Sequence, residues 1–351
     1  MKRNLLAIAI PALLVAGAAN ASIEVFNKDG NKLSINGRVK AINYISKSDN
    51  ENKGDHTDAR LGFTGETRIS DSLIGYGRAE WQTKPGSVDK DIETRYAFAG
   101  LDFGDIGAID YGKNAGILFA VADYTDVLPE FGGDAKNNKW YLLSDRAQAV
   151  ATYHNQNFFG LVDGLNMNLQ YADNSSDLDQ SYTNAAGEVI NDDRAQAYGA
   201  NFEYSLLDTG LSLAGAYAQA SGHHAPKSWA TGLKYDANDL YVAATYFESQ
   251  QKFASDDKLK ARGFEVVAQY GIDFEIGRLT PSLAYIQHKD KSTGTNKDLA
   301  KYVDVGATYD FNKNLSAIID YKINLLDEDA AQGITKGDTR DMVAVGLIYQ
   351  F

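Results

Sequence analysis

The chain has 351 residues, a formal charge of −13, a mean hydropathy of −0.35 and no cysteine. The acidity argues against a nucleic-acid partner, which wants a basic surface, and favours cations near the protein. No disulfide framework or thiol chemistry is available, and beyond the first 21 residues no stretch approaches the roughly 18 apolar residues of a membrane helix.

The N-terminus reads as a cleaved secretory signal. Lys2 and Arg3 precede the apolar run Leu5 to Ala16, and Ala19-Asn20-Ala21 is a small-residue cleavage site. An uncleaved anchor is the alternative, but the run is too short to span well. The expected organisation is therefore a signal peptide over 1–21 and one further domain over 22–351. Without Lys2 and Arg3 the formal charge falls from −13 to about −15.

From there the sequence alternates. Leu165, Met167, Leu169 and Tyr171 point one way, and Asn166, Asn168 and Gln170 the other. Period two marks strands with one apolar and one polar face. About sixteen such segments begin near Leu33, Thr57, Leu73, Asp91, Ile106, Asp145, Gly164, Arg194, Gly210, Lys227, Leu240, Leu259, Leu279, Leu299, Leu315 and Arg340. Short turns such as Asp71-Ser72, Ala237-Asn238-Asp239 and Asn312-Lys313-Asn314 alternate with longer polar connections at Asn174 to Asp193, Gln250 to Lys258 and Asp327 to Thr339. An even number of amphipathic strands, alternating loop lengths and the terminal Phe351 lead to an all-β fold, a sixteen-stranded antiparallel transmembrane β-barrel.

One connection departs from this pattern. Between Gly112 and Asp145 lie about thirty residues that include Leu118, Phe119, Val121, Tyr124, Val127, Leu128, Phe131, Trp140 and Tyr141. That is too apolar for a disordered outer loop, and the barrel interior is the expected place for it.

Strand parity assigns lumen residues. Leu33, Ile35, Val39 and Ala41 oppose Arg38 and Lys40. Leu61 and Phe63 oppose Arg60, Thr64 and Glu66. Trp81 opposes Arg78, Glu80 and Gln82. Tyr96 and Phe98 oppose Arg95, and Ala147, Ala149, Ala151 and Tyr153 oppose Arg146, Gln148 and Thr152. An Arg at mid-depth in lipid costs about 2–4 kcal/mol, so Arg38, Lys40, Arg60, Arg78, Arg95 and Arg146 are expected to form a basic inner wall. Parity alone does not separate a selective role from ordinary solvated charges.

The run Pro129-Glu130-Phe131-Gly132-Gly133-Asp134 resembles the loop-three signature of the OmpF/OmpC-type general diffusion porins of Gram-negative outer membranes. Asn27-Lys28-Asp29-Gly30-Asn31-Lys32, Ala59-Arg60-Leu61-Gly62-Phe63, Asn157-Phe158-Phe159-Gly160-Leu161-Val162-Asp163-Gly164-Leu165, Trp229-Ala230-Thr231-Gly232-Leu233-Lys234-Tyr235-Asp236-Ala237 and Tyr349-Gln350-Phe351 match that family in the same order, so the resemblance covers the whole chain. It implies a homotrimer in outer-membrane lipid and lipopolysaccharide, with the third loop folded inward as an internal constriction. It also implies acids Asp126 and Glu130 facing bases Arg38, Arg60, Arg95 and Arg146, with Glu80 as a further lumen acid. Lys40, placed inside by parity, and Arg78 and Asp123, where this chain adds charges to the family pattern, are expected as further pore-lining residues. Ala115 and Phe119 stand where relatives carry tyrosines. The second outer loop, Thr83 to Ile92, is short for a latch onto a neighbouring subunit.

Acids opposite bases create a transverse field. Unit charges about 8 Å apart interact by about 0.5 kcal/mol in water and about 2 at an effective dielectric of 20. That orients a polar solute without holding it. The expected function is passive diffusion of ions and small hydrophilic solutes, with modest cation preference that fades in salt, no cofactor and no metal. An envelope enzyme is the first alternative. However, His56, His154, His223, His224 and His288 form no H-E-x-x-H, and G-x-S-x-G is missing. A substrate-specific channel would need a lumen aromatic track, whereas Tyr153, Tyr171, Tyr235, Tyr270, Tyr309 and Tyr349 share parity with apolar residues. A purely structural barrel would need no constriction. Asp177, Asp179, Asp192, Asp193 and Asp327-Glu328-Asp329 read as solvated loop faces, or as bridges through divalent cations to lipopolysaccharide.

Overall fold

A computed structural model describes residues 22–47, 52–85, 92–136, 140–173, 196–221, 225–252 and 258–351, with backbone alone at 180–183 and 189–192. The expected signal segment, His223, His224, Asp177, Asp179 and Asp193 lie outside the described residues, as does 86–91 of the second outer loop.

Sixteen antiparallel strands close into a barrel. They are β1 (Asn31–Ile45), β2 (Asp58–Ser70), β3 (Leu73–Thr83), β4 (Ile92–Asp102), β5 (Ala108–Ala115), β6 (Arg146–Asn155), β7 (Leu165–Asp173) and β8 (Gln196–Leu206). The second half comprises β9 (Leu211–Ala220), β10 (Lys227–Ala237), β11 (Leu240–Lys252), β12 (Lys258–Tyr270), β13 (Arg278–Asp290), β14 (Lys297–Asn312), β15 (Leu315–Asn324) and β16 (Met342–Gln350). Every start falls within two residues of the position read from alternation. Closure joins β1 to β16, from Arg38 opposite Gln350 to Ile45 opposite Val343. The N-terminal strand Ser22–Lys28 continues that edge, pairing the start of β1. Phe351 exchanges two backbone hydrogen bonds with Gly37, at 2.8 and 2.9 Å.

The tight turns carry the residues that their geometry requires. Asn238 and Asp239 both have positive φ, at 55° and 62°, as a two-residue turn matched to strand twist demands. The outer face is apolar and open: Leu61, Phe202, Leu213, Leu233, Leu283, Ile319 and Leu347 are exposed, as a lipid-facing belt requires. The core sits inside the barrel. Ile117, Leu118, Val121, Tyr124, Tyr141, Leu142 and Leu143 of the third loop pack on inward alanines of β8 to β13, among them Ala197, Ala214, Ala216, Ala230 and Ala243. Small side chains on that half of the wall leave the room that the loop fills.

Two stretches depart from simple parity. In β4 the pairing slips, so that Glu80 lies opposite Tyr96 but Trp81 lies opposite Thr94. Arg95 is the extra residue of a β-bulge. Tyr96 and Phe98, expected on the lipid side, therefore turn inward and are 3% and 8% exposed. In β6 the ladder with β5 slips between Gly112 and Asn114, and Ala149 has a φ of 52°. Ala147 and Val150 are buried inside with Thr152, while Gln148 faces out, which corrects the expected alternation from 146 to 153.

Candidate functional site

The third loop, 116–145, crosses the lumen and is held to the wall mainly through its own backbone. Glu265 on β12 accepts from Thr125 Oγ1 at 2.6 Å and from the Ala135 N–H at 3.0 Å. Asp320 on β15 accepts from the Glu130 and Phe131 N–H groups, both at 2.9 Å. Tyr241 and Gln269 donate to the Tyr124 and Val127 carbonyls at 2.6 and 2.7 Å. A buried loop must satisfy its polar backbone somewhere, and these wall side chains do so. At the loop root a polar chain runs from Asp110 through His154 Nε2 (2.8 Å), His154 Nδ1 to Asn168 (2.7 Å) and Asn168 to Asn201 (2.7 Å). It ends where Asn201 donates to the Ile117 carbonyl at 2.8 Å. Both His154 ring nitrogens face acceptors.

The opposite wall is basic, as the charges on β1 to β4 and β6 suggested. Arg38 reaches Asp58 at 3.3 Å, and Arg60 donates to Gln82 at 2.7 Å with Asp58 3.8 Å away. Arg95 pairs with Glu80 at 2.6 Å and Gln82 at 3.1 Å. Arg146 pairs with Asp145 at 2.9 Å and lies over the rings of Tyr96 and Phe119 at 4.9 and 5.1 Å. Glu80 is thus a spacer within the arginine ladder, not an acid facing it across the lumen. Its other oxygen takes Arg78 at 2.7 Å, and Arg78 is itself buried over Tyr96 at 4.0 Å. Arg78 props the ladder from behind.

The two loop acids differ. The Glu130 side chain is only 8% exposed. It bonds Lys40 at 2.5 Å and also accepts from the Tyr44 hydroxyl, so it anchors the loop tip to β1. Lys40 also lies 3.4 Å from Asp58. Asp126 keeps its carboxylate 48% exposed, paired at 2.6 Å with Lys136 from the same loop. Burial pushes the Asp126 carboxyl up, but Lys136, with Arg146 and Arg60 acting across the site, holds it below the ordinary aspartate value. Asp123 ends the short helix Phe119–Ala122 half-buried, and burial pushes it up to about 7 against the pull of Lys136. Beside the loop tip, a cavity of about 1000 Å³ is bordered by Tyr44, Glu130, Phe131, Trp140, Tyr302 and Lys322.

Asp58, Lys136, Glu265 and Asp320 carry the site's geometry but were not singled out by the sequence, whereas Gln82 stands on the face where parity put it. Asp58 had a signal, since it shares parity with Arg60. Lys136 had none, because its partner lies ten residues away on an irregular loop. Among the described residues, no group of His, Cys, Asp and Glu could hold a metal ion.

Comparison with known proteins agrees with this architecture. A Gram-negative porin family model matches residues 28–351. Outer membrane porin PhoE of Enterobacter cloacae is 43% identical, and the outer membrane porin protein NmpC of Escherichia coli K12, described as putative, is 45% identical; each is aligned over 100% of both chains. The structure of Salmonella typhi OmpF in complex with daunomycin superposes with a TM-score of 0.77 at 34% identity, covering 94% of this chain and 100% of that one. Vibrio cholerae OmpT, at 15% identity and a TM-score of 0.65, shares the fold. A closed barrel with an inward third loop, matched along nearly its whole length, makes this chain a member of the Gram-negative porin family, an outer-membrane diffusion channel and not an enzyme.

Proposed function

We propose that the channel is a general diffusion porin with a transverse field at its constriction and a weak preference for cations. The observation that carries this is the half-exposed Asp126 carboxylate, set against Arg38, Arg60, Arg95 and Arg146 with at least two of those arginines in electrostatic reach. A dipolar, hydrated solute aligns in such a field, whereas an apolar one gives up ordered water without return. The chain's acidity favours cations, while the near balance of charge at the constriction keeps the preference small. Assembly as a homotrimer in lipopolysaccharide-bearing membrane after removal of residues 1–21 belongs to the same reading and is supported by family membership.

Planar-bilayer recording under a KCl gradient tests it. Ohmic conductance in three equal steps with a reversal potential on the cation side is expected. Absence of conductance from folded protein would return the barrel to a structural role.

A further inference from the structure

We infer that Lys136 is a specificity-determining residue, a counter-ion carried on the third loop that cancels most of Asp126's charge and so sets how weakly the pore discriminates ions. This rests on the diffusion-pore reading above and extends it to the residue that tunes selectivity.

The argument begins with position. The Asp126 side chain is 48% exposed to the lumen, whereas the Lys136 side chain paired with it at 2.6 Å is 14% exposed. The carboxylate faces the permeating ion and the ammonium lies behind it. For an ion about 8 Å in front, a charge of opposite sign 2.6 Å further back leaves roughly a quarter of the lone carboxylate's potential. Asp126 therefore acts on passing solutes as a short dipole, not as a full negative charge.

Lys136 is also held where it stands. Its ammonium lies 4.8 Å from the centre of the Phe119 ring, and Arg146 occupies the same ring at 5.1 Å. The ring carries no hydroxyl to compete for either cation, so it serves both as a cation–π platform. Asp123 acts on Lys136 from the same loop and Glu265 from β12. The second loop acid is cancelled independently, because Lys40 bonds Glu130 at 2.5 Å and that carboxylate is buried. Asp126 and Glu130 thus each have their own lysine. Of these two acids, Lys136 governs the one whose carboxylate stays half-exposed.

The test is the potassium-to-chloride permeability ratio, from reversal potentials of the full-length porin in planar bilayers under a KCl gradient at low salt. Lys136→Gln uncovers Asp126 and is expected to raise the ratio about threefold or more, shrinking at high salt as screening shortens. Asp126→Asn uncovers Lys136 and moves the ratio toward anions. The double variant returns close to wild type, and Lys136→Arg keeps the wild-type ratio, separating charge from packing. An unchanged ratio in Lys136→Gln, or a double variant that keeps the ratio of Asp126→Asn, would overturn the assignment. Should Lys136→Gln fail to assemble, the double variant is compared with Asp126→Asn: a ratio nearer to cations in the double variant supports the assignment, and equal ratios refute it. Loss of conductance in wild type would sink the pore reading itself.

Discussion

Gly263 on β12 offers a direct probe of how closely the third loop must approach the wall. A Cβ at this position would stand 2.0 Å from the Ala135 carbonyl oxygen and 2.9 Å from its carbon. Both are backbone atoms, so no side-chain rotation relieves the clash, and the loop must retreat into the lumen by about 1 Å or more. The retreating segment carries the Ala135 N–H, whose 3.0 Å bond to Glu265 would open to about 4 Å, beyond hydrogen-bond range. Glu265 is 2% exposed and would keep only Thr125 as a donor. Overpacking costs about 1–3 kcal/mol and an unsatisfied buried acceptor about 1–3 more, so Gly263→Ala should weaken loop docking by about 2–6 kcal/mol. The strand ladder is untouched, so the barrel should still form and the deficit should appear in the pore. Single-channel recording is the assay: lower open conductance and more frequent brief closures than wild type. Gly215→Ala on β9, where a Cβ would meet nothing within 4 Å, is the control and should behave as wild type. If Gly263→Ala matches wild type in conductance and open time, the close seating of the loop is not what fixes the lumen.

Three further outcomes are expected. His154→Ala removes one of three bonds to the buried Asp110 carboxylate, which keeps Tyr76 and Asn114, and takes away the His154 partner of the Asn168 amide oxygen; it should cost about 1–2 kcal/mol in denaturant unfolding from liposomes, and an unchanged midpoint would show that the chain to Ile117 carries no stability. Asp123, pushed up to about 7 by burial, gains its negative charge as pH rises through that value, so reversal potentials should move toward cations between about pH 6 and 8. Asp123→Asn should flatten that change, and a shift that survives in the variant would assign it to another group. Leu283→Arg places a charge on a lipid-facing position that is 55% exposed. It should cost about 2–4 kcal/mol of folding in bilayers, and unimpaired folding would argue that this face does not meet lipid.

The barrel was legible because its signal is long and repeated. Period-two alternation recurs in strand after strand, and the turns at Asp71-Ser72 and Asn238-Asp239 punctuate it, so strand starts came out within two residues. Parity also placed Arg38, Arg60 and Arg78 inside, because each sits in a strand whose register with its neighbour runs unbroken past it. Parity failed where one residue is inserted into a ladder. At Arg95 the bulge turns two consecutive side chains, Arg95 and Tyr96, to the same face, which a period of two cannot represent. That insertion brings the Tyr96 ring under Arg78 and Arg146, so the aromatic support of the arginine ladder is a product of the irregularity and was invisible to pattern reading.

The acids show a second limit. Asp126 and Glu130 stand four residues apart in one short motif, and their sequence context treats them alike. The fold separates them through partners from different places. Glu130 meets Lys40 and Tyr44 across 90 and 86 residues of chain and is buried as an anchor, while Asp126 meets Lys136 ten residues on and remains half-exposed. Charge sign and parity together give the composition of the constriction, but a pore responds to net charge at each point along its axis. A carboxylate with an ammonium 2.6 Å behind it and one without differ severalfold in the potential that an ion about 8 Å away feels. On the proposed reading, selectivity follows which lysine stands behind which acid, and substitutions at Lys40 and Lys136 should change it more than their absence from the loop-three motif would suggest.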